Sequence, residues 1–217
     1  MLTVKENPKS LLAEAYRGLR TSLEYSSVDK KLKTLVVTSS NPGEGKSTVS
    51  GNLAFVLAQG GKKVIIVDAD LRKPTIHKKF RVANTAGLTD CLIGKKKVNE
   101  VVNKIEDNVH IITAGQKTPN PAEMVSSKAM EDLIAALKDV YDYVIIDTPP
   151  VRNINDGVVL SAKVDGTILV VRAGVTKSVD IVKGYKELEK VKSNVIGTVL
   201  NAVENKKDSY YYYYYED

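Results

Sequence analysis

The stretch Thr34-Leu35-Val36-Val37-Thr38-Ser39-Ser40-Asn41-Pro42-Gly43-Glu44-Gly45-Lys46-Ser47-Thr48 decides the fold. Thr34 to Thr38 is an apolar, β-branched run that reads as a strand, and a glycine-bearing turn follows it. Val49, Leu53, Val56 and Leu57 then recur at helical spacing over 46–59, which predicts an amphipathic helix. A strand, a glycine-rich turn and a helix opened by Lys-Ser are the context of a phosphate-binding loop, although the usual pattern has glycine where this chain has Ser40. Gly43 and Gly45 let backbone N–H groups turn inward around a β-phosphate, and the helix N-terminus favours negative charge. In this reading Lys46 bridges β- and γ-phosphates, the Ser47 hydroxyl ligates Mg²⁺ and Thr48 reaches the α-phosphate. Pro42, Gly43, Glu44, Gly45, Lys46, Ser47 and Thr48 are therefore the expected ATP-binding set.

Working outward, two further strand-like runs end in aspartate. Val64 to Val67 leads into Asp68-Ala69-Asp70, and Val144 to Ile146 leads into Asp147. Asp68 and Asp70 stand at alternate positions, so they can point the same way. Parallel strands present their C-terminal ends on one edge of the sheet, where ligands bind in open α/β folds. Strands are expected at 34–38, 63–67, 109–113, 143–147, 167–171 and 195–200, all apolar enough to be placed at the sheet centre. Helices are expected at 8–25, 46–59, from Ser127 (N-cap Ser126 or Ser127) through Leu137, and at 177–191. The fold class is α/β: a P-loop NTPase with a mostly parallel central sheet flanked by helices on both faces. The leading helix is expected to lie outside the alternating core.

With 217 residues, 43% hydrophobic and 27% charged, the chain is sized for one domain with appendages. Its net charge of +6 is spread along the whole sequence and selects no partner class. One cysteine, Cys91, excludes an internal disulfide, and two scattered histidines give no zinc spacing. No apolar run is long enough to span a membrane and no secretory leader is evident, so a cytoplasmic location is expected. The domain is expected to occupy residues 1–203, with a flexible tail over 204–217. In that tail Tyr210, Tyr211, Tyr212, Tyr213, Tyr214 and Tyr215 are consecutive, a run no packed core can house with six hydroxyls to satisfy.

These motifs resemble the bacterial tyrosine kinases of capsule and exopolysaccharide synthesis, within the MinD- and ParA-like P-loop ATPases. Residues 43–48 look like that family's Walker A motif, 65–74 its Walker A′ motif with Arg72-Lys73-Pro74, and 144–150 its Walker B motif. Glu14, Arg17 and Arg20 are similar to its E-x-x-R-x-x-R oligomerisation motif, on a helix spanning about 8–26, and the terminal tyrosines resemble its autophosphorylation cluster. An internal ion pair on a solvated face is the alternative reading of the helix.

The resemblance implies a protein-tyrosine kinase using ATP and Mg²⁺. Asp68 would orient and deprotonate the acceptor phenol, and Asp70 and Asp147 would hold Mg²⁺ with Ser47. Arg72 and Lys73 would bind substrate, and Asn201 would contact adenine. It further implies a homo-oligomer, a ring in which each tail enters the neighbour's site, with recruitment to the membrane's inner face by a membrane-embedded activator. A cognate phosphotyrosine phosphatase and other protein tyrosine substrates follow too; nucleic acid and a direct membrane span do not. The competing reading is a MinD- or ParA-like ATPase that uses nucleotide to dimerise or position cargo. Such proteins usually carry a second loop lysine where this chain has Asn41.

Overall fold

The computed structural model describes residues 2–26, 31–152 and 154–204. In chain order the strands are β1 (Thr34–Ser39), β2 (Val64–Asp68), β3 (Val102–Glu106), β4 (Val109–Ile112), β5 (Tyr143–Asp147), β6 (Gly166–Arg172) and β7 (Val195–Asn201). Among the described residues they form one seven-stranded sheet in the order β3-β4-β2-β5-β1-β6-β7. All neighbours pair parallel except β3 with β4. β1, β2 and β5 are buried along their whole length and sit in the middle, which places Ser39, Asp68 and Asp147 at one edge. Asp68 and Asp147 are direct partners in the β2–β5 register.

The helices are α1 (Thr3–Glu6), α2 (Leu11–Ser26), α3 (Lys46–Gln59), α4 (Ile76–Phe80), α5 (Leu88–Leu92), α6 (Val98–Val101), α7 (Pro121–Ser126), α8 (Lys128–Val140), α9 (Asp156–Ser161) and α10 (Ser178–Lys190). Ser127 is the N-cap of α8, its hydroxyl accepting from the Met130 N–H at 3.2 Å. α8 buries the expected stripe, Met130, Leu133, Ile134 and Leu137.

Three expectations need correction. α3 is not amphipathic: residues 49–57 are all buried, because the sheet covers one side and α1 and α2 cover the other. α2, although most of its residues are exposed, is not wholly apart from the core: Ala13, Tyr16 and Leu23 pack into the cluster that holds Leu53, Val56 and Leu57. Finally, β7 is an edge strand whose burial is only partial, and Leu200 is 60% exposed. Its apolar composition marks a strand, and composition does not tell centre from edge. β3 was not anticipated because Val102-Asn103-Lys104-Ile105-Glu106 is polar, as suits an antiparallel edge. Tyr210 to Tyr215 and nearly all of the expected tail lie outside the described residues.

Candidate active site

The loop between β1 and α3 takes the shape its glycines permit. Gly43 has φ 81° and Gly45 φ 97°, the left-handed region that side chains with a Cβ avoid. The backbone N–H groups of residues 43–47 find no acceptor among the described residues, while Thr48 and Val49 already bond back to the Gly45 carbonyl. A ring of unused donors at a helix start, closed by the buried Lys46, suits a chain of phosphates.

The loop is braced from behind. The Glu44 carboxylate is buried and accepts from the Asn41 N–H at 3.1 Å and the Thr176 hydroxyl at 2.6 Å. This side chain therefore acts as a strut, leaving the residue's backbone to face a ligand. Asn201, at the end of β7, donates from Nδ2 to the Glu44 carbonyl at 2.9 Å and lies against Gly45. Arg152 bonds Asn41 Oδ1 and pairs with Asp180, both at 2.8 Å, and so ties the loop to α10.

Beside the loop stand the aspartates. The Ser47 hydroxyl donates to Asp147 Oδ2 at 2.5 Å, Ser50 donates to Oδ1 at 3.2 Å, and Thr75 donates to Ser47 Oγ at 2.6 Å. Asp68 accepts on Oδ2 from the backbone N–H groups of Thr75 and Ile76 at 3.1 and 3.0 Å, and on Oδ1 from that of Asp70 at 3.3 Å. Asp70 accepts from the Lys73 N–H at 2.9 Å, so the turn after β2 is shaped by its own carboxylates. Lys79 Nζ donates to Thr48 Oγ1 at 2.8 Å. Burial, then the nearby Asp147 charge, holds the Asp68 carboxyl well above the usual carboxylate range. Burial likewise pushes Asp147 up to about 6, with Ser47 and Lys46 pulling the other way. Two adjacent buried carboxyls that both resist ionisation, next to an ammonium and a hydroxyl, are suited to a divalent cation.

Among the described residues no three acidic, histidine or cysteine side chains converge closely enough to chelate a metal alone. A magnesium ion would therefore be held by Ser47 and by Asp147 and Asp70, mostly through water, together with phosphate oxygens, which is the usual habit of this ion. Mg-ATP fits the residues present, because the unused loop donators, the hydroxyl and the elevated carboxyls answer one another's chemistry.

Among the other expected residues, Arg72 forms a two-pronged pair with the buried Asp156, Nε to Oδ2 at 2.9 Å and Nη2 to Oδ1 at 3.2 Å. Lys73 is exposed beside it. On α2, Arg17 pairs with Glu14 at 2.5 Å and also donates to the Pro8 carbonyl, while Arg20 donates to the Val56 carbonyl at 3.0 Å. The internal pairing is thus present within the monomer. Thr75, Asp156 and Thr176 escaped sequence reasoning. Only Asp156 left a trace there, as an acid opening a helix six residues after the prolines.

Comparison with known proteins gives a consistent picture. A family model described as an AAA domain matches residues 32–206. The tyrosine-protein kinase YwqD of Bacillus subtilis is 44% identical over 203 residues, covering 93% of this chain and 86% of YwqD. The kinase domain of the Escherichia coli tyrosine kinase ETK superposes with a TM-score of 0.92 at 35% identity, covering 99% of this chain and 85% of that one. The septum site-determining protein MinD of Pyrococcus horikoshii, solved with Mg-ADP, gives a TM-score of 0.66 at 25% identity over 77% of this chain and 69% of that one.

Proposed function

This chain belongs to the bacterial tyrosine-protein kinases, and from that membership we propose that it transfers the γ-phosphoryl group of Mg-ATP to tyrosines of its own C-terminal run, in trans within a homo-oligomer. The observation that carries the proposal is the meeting, at one sheet edge, of the Lys46 loop, the Ser47–Asp147 pair and the Asp68 carboxylate, with Asn201 of β7 bonded to that same loop. The described chain thus leaves the sheet beside the chemistry, and fourteen steps of at most ~3.6 Å from Asn201 to Tyr215 give a reach on the order of 50 Å.

When bound, Mg-ATP supplies the phosphoryl group, whose transfer passes through a loose transition state in which positioning and charge neutralisation dominate. Lys46 would neutralise charge on the phosphates, and Ser47, Asp147 and Asp70 would hold the metal, the aspartates mostly through water. Asp68 holds the acceptor phenol and takes its proton as the new O–P bond forms. A carboxyl near ~4 is a poor base for a phenol near ~10. Burial and the Asp147 charge narrow that gap from the Asp68 side.

The same reading extends to regulation of capsule or exopolysaccharide synthesis. A membrane-embedded activator would recruit the chain to the membrane, and a cognate phosphatase would reset the tail. Among the described residues no helix is long and apolar enough to cross a membrane.

The test uses two chains of distinct mass incubated with Mg-ATP: one Lys46→Ala with its tail intact, the other active with Tyr210 to Tyr215 replaced by phenylalanine. Phosphate appearing on the Lys46→Ala tail supports transfer in trans. Release of ADP with no change in either protein mass would assign the chain to the MinD-like nucleotide switches instead.

A further inference from the structure

A groove of about 620 Å³ opens beyond the C-terminal ends of β2 and β4, β4 lying on the far side of β2 from β5 and β1. One wall is the segment 72–78 that follows β2, and the other is residues 115–117 after β4. Asn84 also lines the groove and is fastened to the second wall, its Nδ2 donating to the Gly115 carbonyl at 2.8 Å and its Oδ1 accepting from the Gly115 N–H at 3.0 Å. The groove meets the active site at Thr75, a lining residue whose N–H donates to Asp68 and whose hydroxyl donates to Ser47.

No lining residue is acidic, whereas Arg72, Lys73, Lys78 and Lys117 all face or border the space. Arg72 is committed to Asp156. Lys73, Lys78 and Lys117 take part in no ion pair among the described residues, and Lys78 and Lys117 are exposed. Clustered lysines repel one another unless an anion lies between them, so the groove is prepared for a ligand of high negative charge.

Resting on the kinase reading of the neighbouring site, we propose that this groove binds a phosphotyrosine of the peptide being modified, so that a tyrosine phosphorylated in one turnover anchors its neighbour for the next. The six consecutive tyrosines make the match. In an extended peptide, residues two apart project to the same side about 7 Å apart. An acceptor at Asp68 therefore sends the phosphotyrosine two positions away across Thr75 and between the lysines. A phosphotyrosine carries about −1.5 to −2 charges and three acceptor oxygens, against one charge for a carboxylate. The unpaired cations favour the former. Modification of the run then becomes processive: a tail that has gained its first phosphates is held more tightly than an unmodified one.

Synthetic peptides with one acceptor tyrosine and, two residues away, phosphotyrosine, glutamate or alanine test this with the full chain and Mg-ATP. The phosphotyrosine peptide is expected to show a KM at least fivefold below the alanine peptide with kcat unchanged, and Lys78→Ala combined with Lys117→Ala is expected to erase that difference. Thermal melts of the variant should match the parent, and its rate on the alanine peptide should stay within twofold. In the chain's own tail, intact mass at partial turnover should show unmodified and heavily modified species together in the parent, and a stepwise ladder in the variant. Equal KM for the phosphotyrosine and alanine peptides would overturn the inference while leaving the kinase reading intact, and a glutamate peptide as good as the phosphotyrosine peptide would overturn the phosphate assignment. Failure to phosphorylate any peptide counts against the kinase reading alone. Equilibrium binding of a fluorescent phosphotyrosine peptide without ATP still decides the groove in that case, with loss of binding in the lysine variant expected and no binding to the parent overturning it.

Discussion

At the scale of single residues the site is governed by Asp147 and by two glycines. Asp147 ionises near pH 6 in the folded chain against about 3.8 for the free side chain. Between those values the native chain keeps a proton that the unfolded chain has released. The contribution of this group to stability is therefore present at low pH and is lost as pH rises through about 6, by on the order of 2 to 3 kcal/mol. Asp147→Asn should remove that dependence, so the unliganded variant gains stability over the parent as pH climbs from 4 to 7 while losing magnesium-dependent nucleotide binding. Paired thermal melts across the range check the sign, and a constant offset between the two chains would refute the assignment. The glycines separate conformational strain from space. Gly43 has open surroundings, so Gly43→Ala meets only its positive φ, about 1 to 2 kcal/mol. At Gly45 a Cβ would lie 1.9 Å from Asn201 Nδ2, so Gly45→Ala must also expel Asn201 and lose its bond to the Glu44 carbonyl. Gly45→Ala should lower the melting temperature more than Gly43→Ala and weaken nucleotide binding further, as melts and nucleotide titrations would show.

Between elements, the turn after β2 is fastened to α9 by Arg72 and Asp156. The carboxylate is buried and the guanidinium is 39% exposed, so removing the cation leaves an acid stranded in the interior. Arg72→Ala is expected to cost about 2 kcal/mol, below the figure for a fully buried pair because water reaches the arginine. Lys73→Ala should cost almost nothing. Denaturant titration of the two variants tells a structural loss from a loss of substrate contact, which an activity assay alone would merge. Asp156 also marks the limit of what the chain reveals before folding. The P-loop, both aspartate-ended strands and the helix capped by Ser127 are legible because each is a local pattern: a period, a turn, a cap. Thr75 on Ser47 and Thr176 on Glu44 are not legible, because common residues meet across 28 and 132 positions of chain. α3 reads as amphipathic for a related reason: its outer apolar positions are interpretable only once α2 is known to cover them. The polarity of β3 and the apolarity of β7 mislead in opposite directions, since both strands are edges and only one has an edge composition.

For the whole molecule the proposal turns on assembly, and α2 sets its terms. In the monomer Glu14 and Arg17 satisfy each other, whereas Arg20 is turned inward onto the Val56 carbonyl of the helix that begins at Lys46. The proposed ring must therefore exchange an existing ion pair for one across the subunit boundary. An exposed pair is worth only about 0.2 to 1 kcal/mol, so the exchange is nearly free and easily reversed. In that proposal Glu14 and Arg17 would act as contact residues, while Arg20 links α2 to the helix that begins at Lys46. Arg17→Ala gives up bonds to Glu14 and the Pro8 carbonyl that are both solvent-exposed, and should lower the melting temperature less than Arg20→Ala yet shift the chain from oligomer to monomer in native mass spectrometry. Arg20→Ala gives up a charged hydrogen bond to a carbonyl, worth about 1.5 to 3 kcal/mol, and should both melt earlier and assemble less. Phosphorylation acts on the same balance: three phosphotyrosines bring roughly −5 charges to a chain of net +6, and six make it strongly anionic. Unphosphorylated chain, and chain with only its first phosphates anchored, should therefore run as the oligomer and fully phosphorylated chain as the monomer, with the shift weakened at high salt. An assembly state unchanged by phosphorylation would remove the cycle of assembly and release, and an Arg17→Ala chain that still forms the ring would remove the Glu14–Arg17 exchange from its interface; the transfer experiment with two chains of distinct mass decides separately between cis and trans.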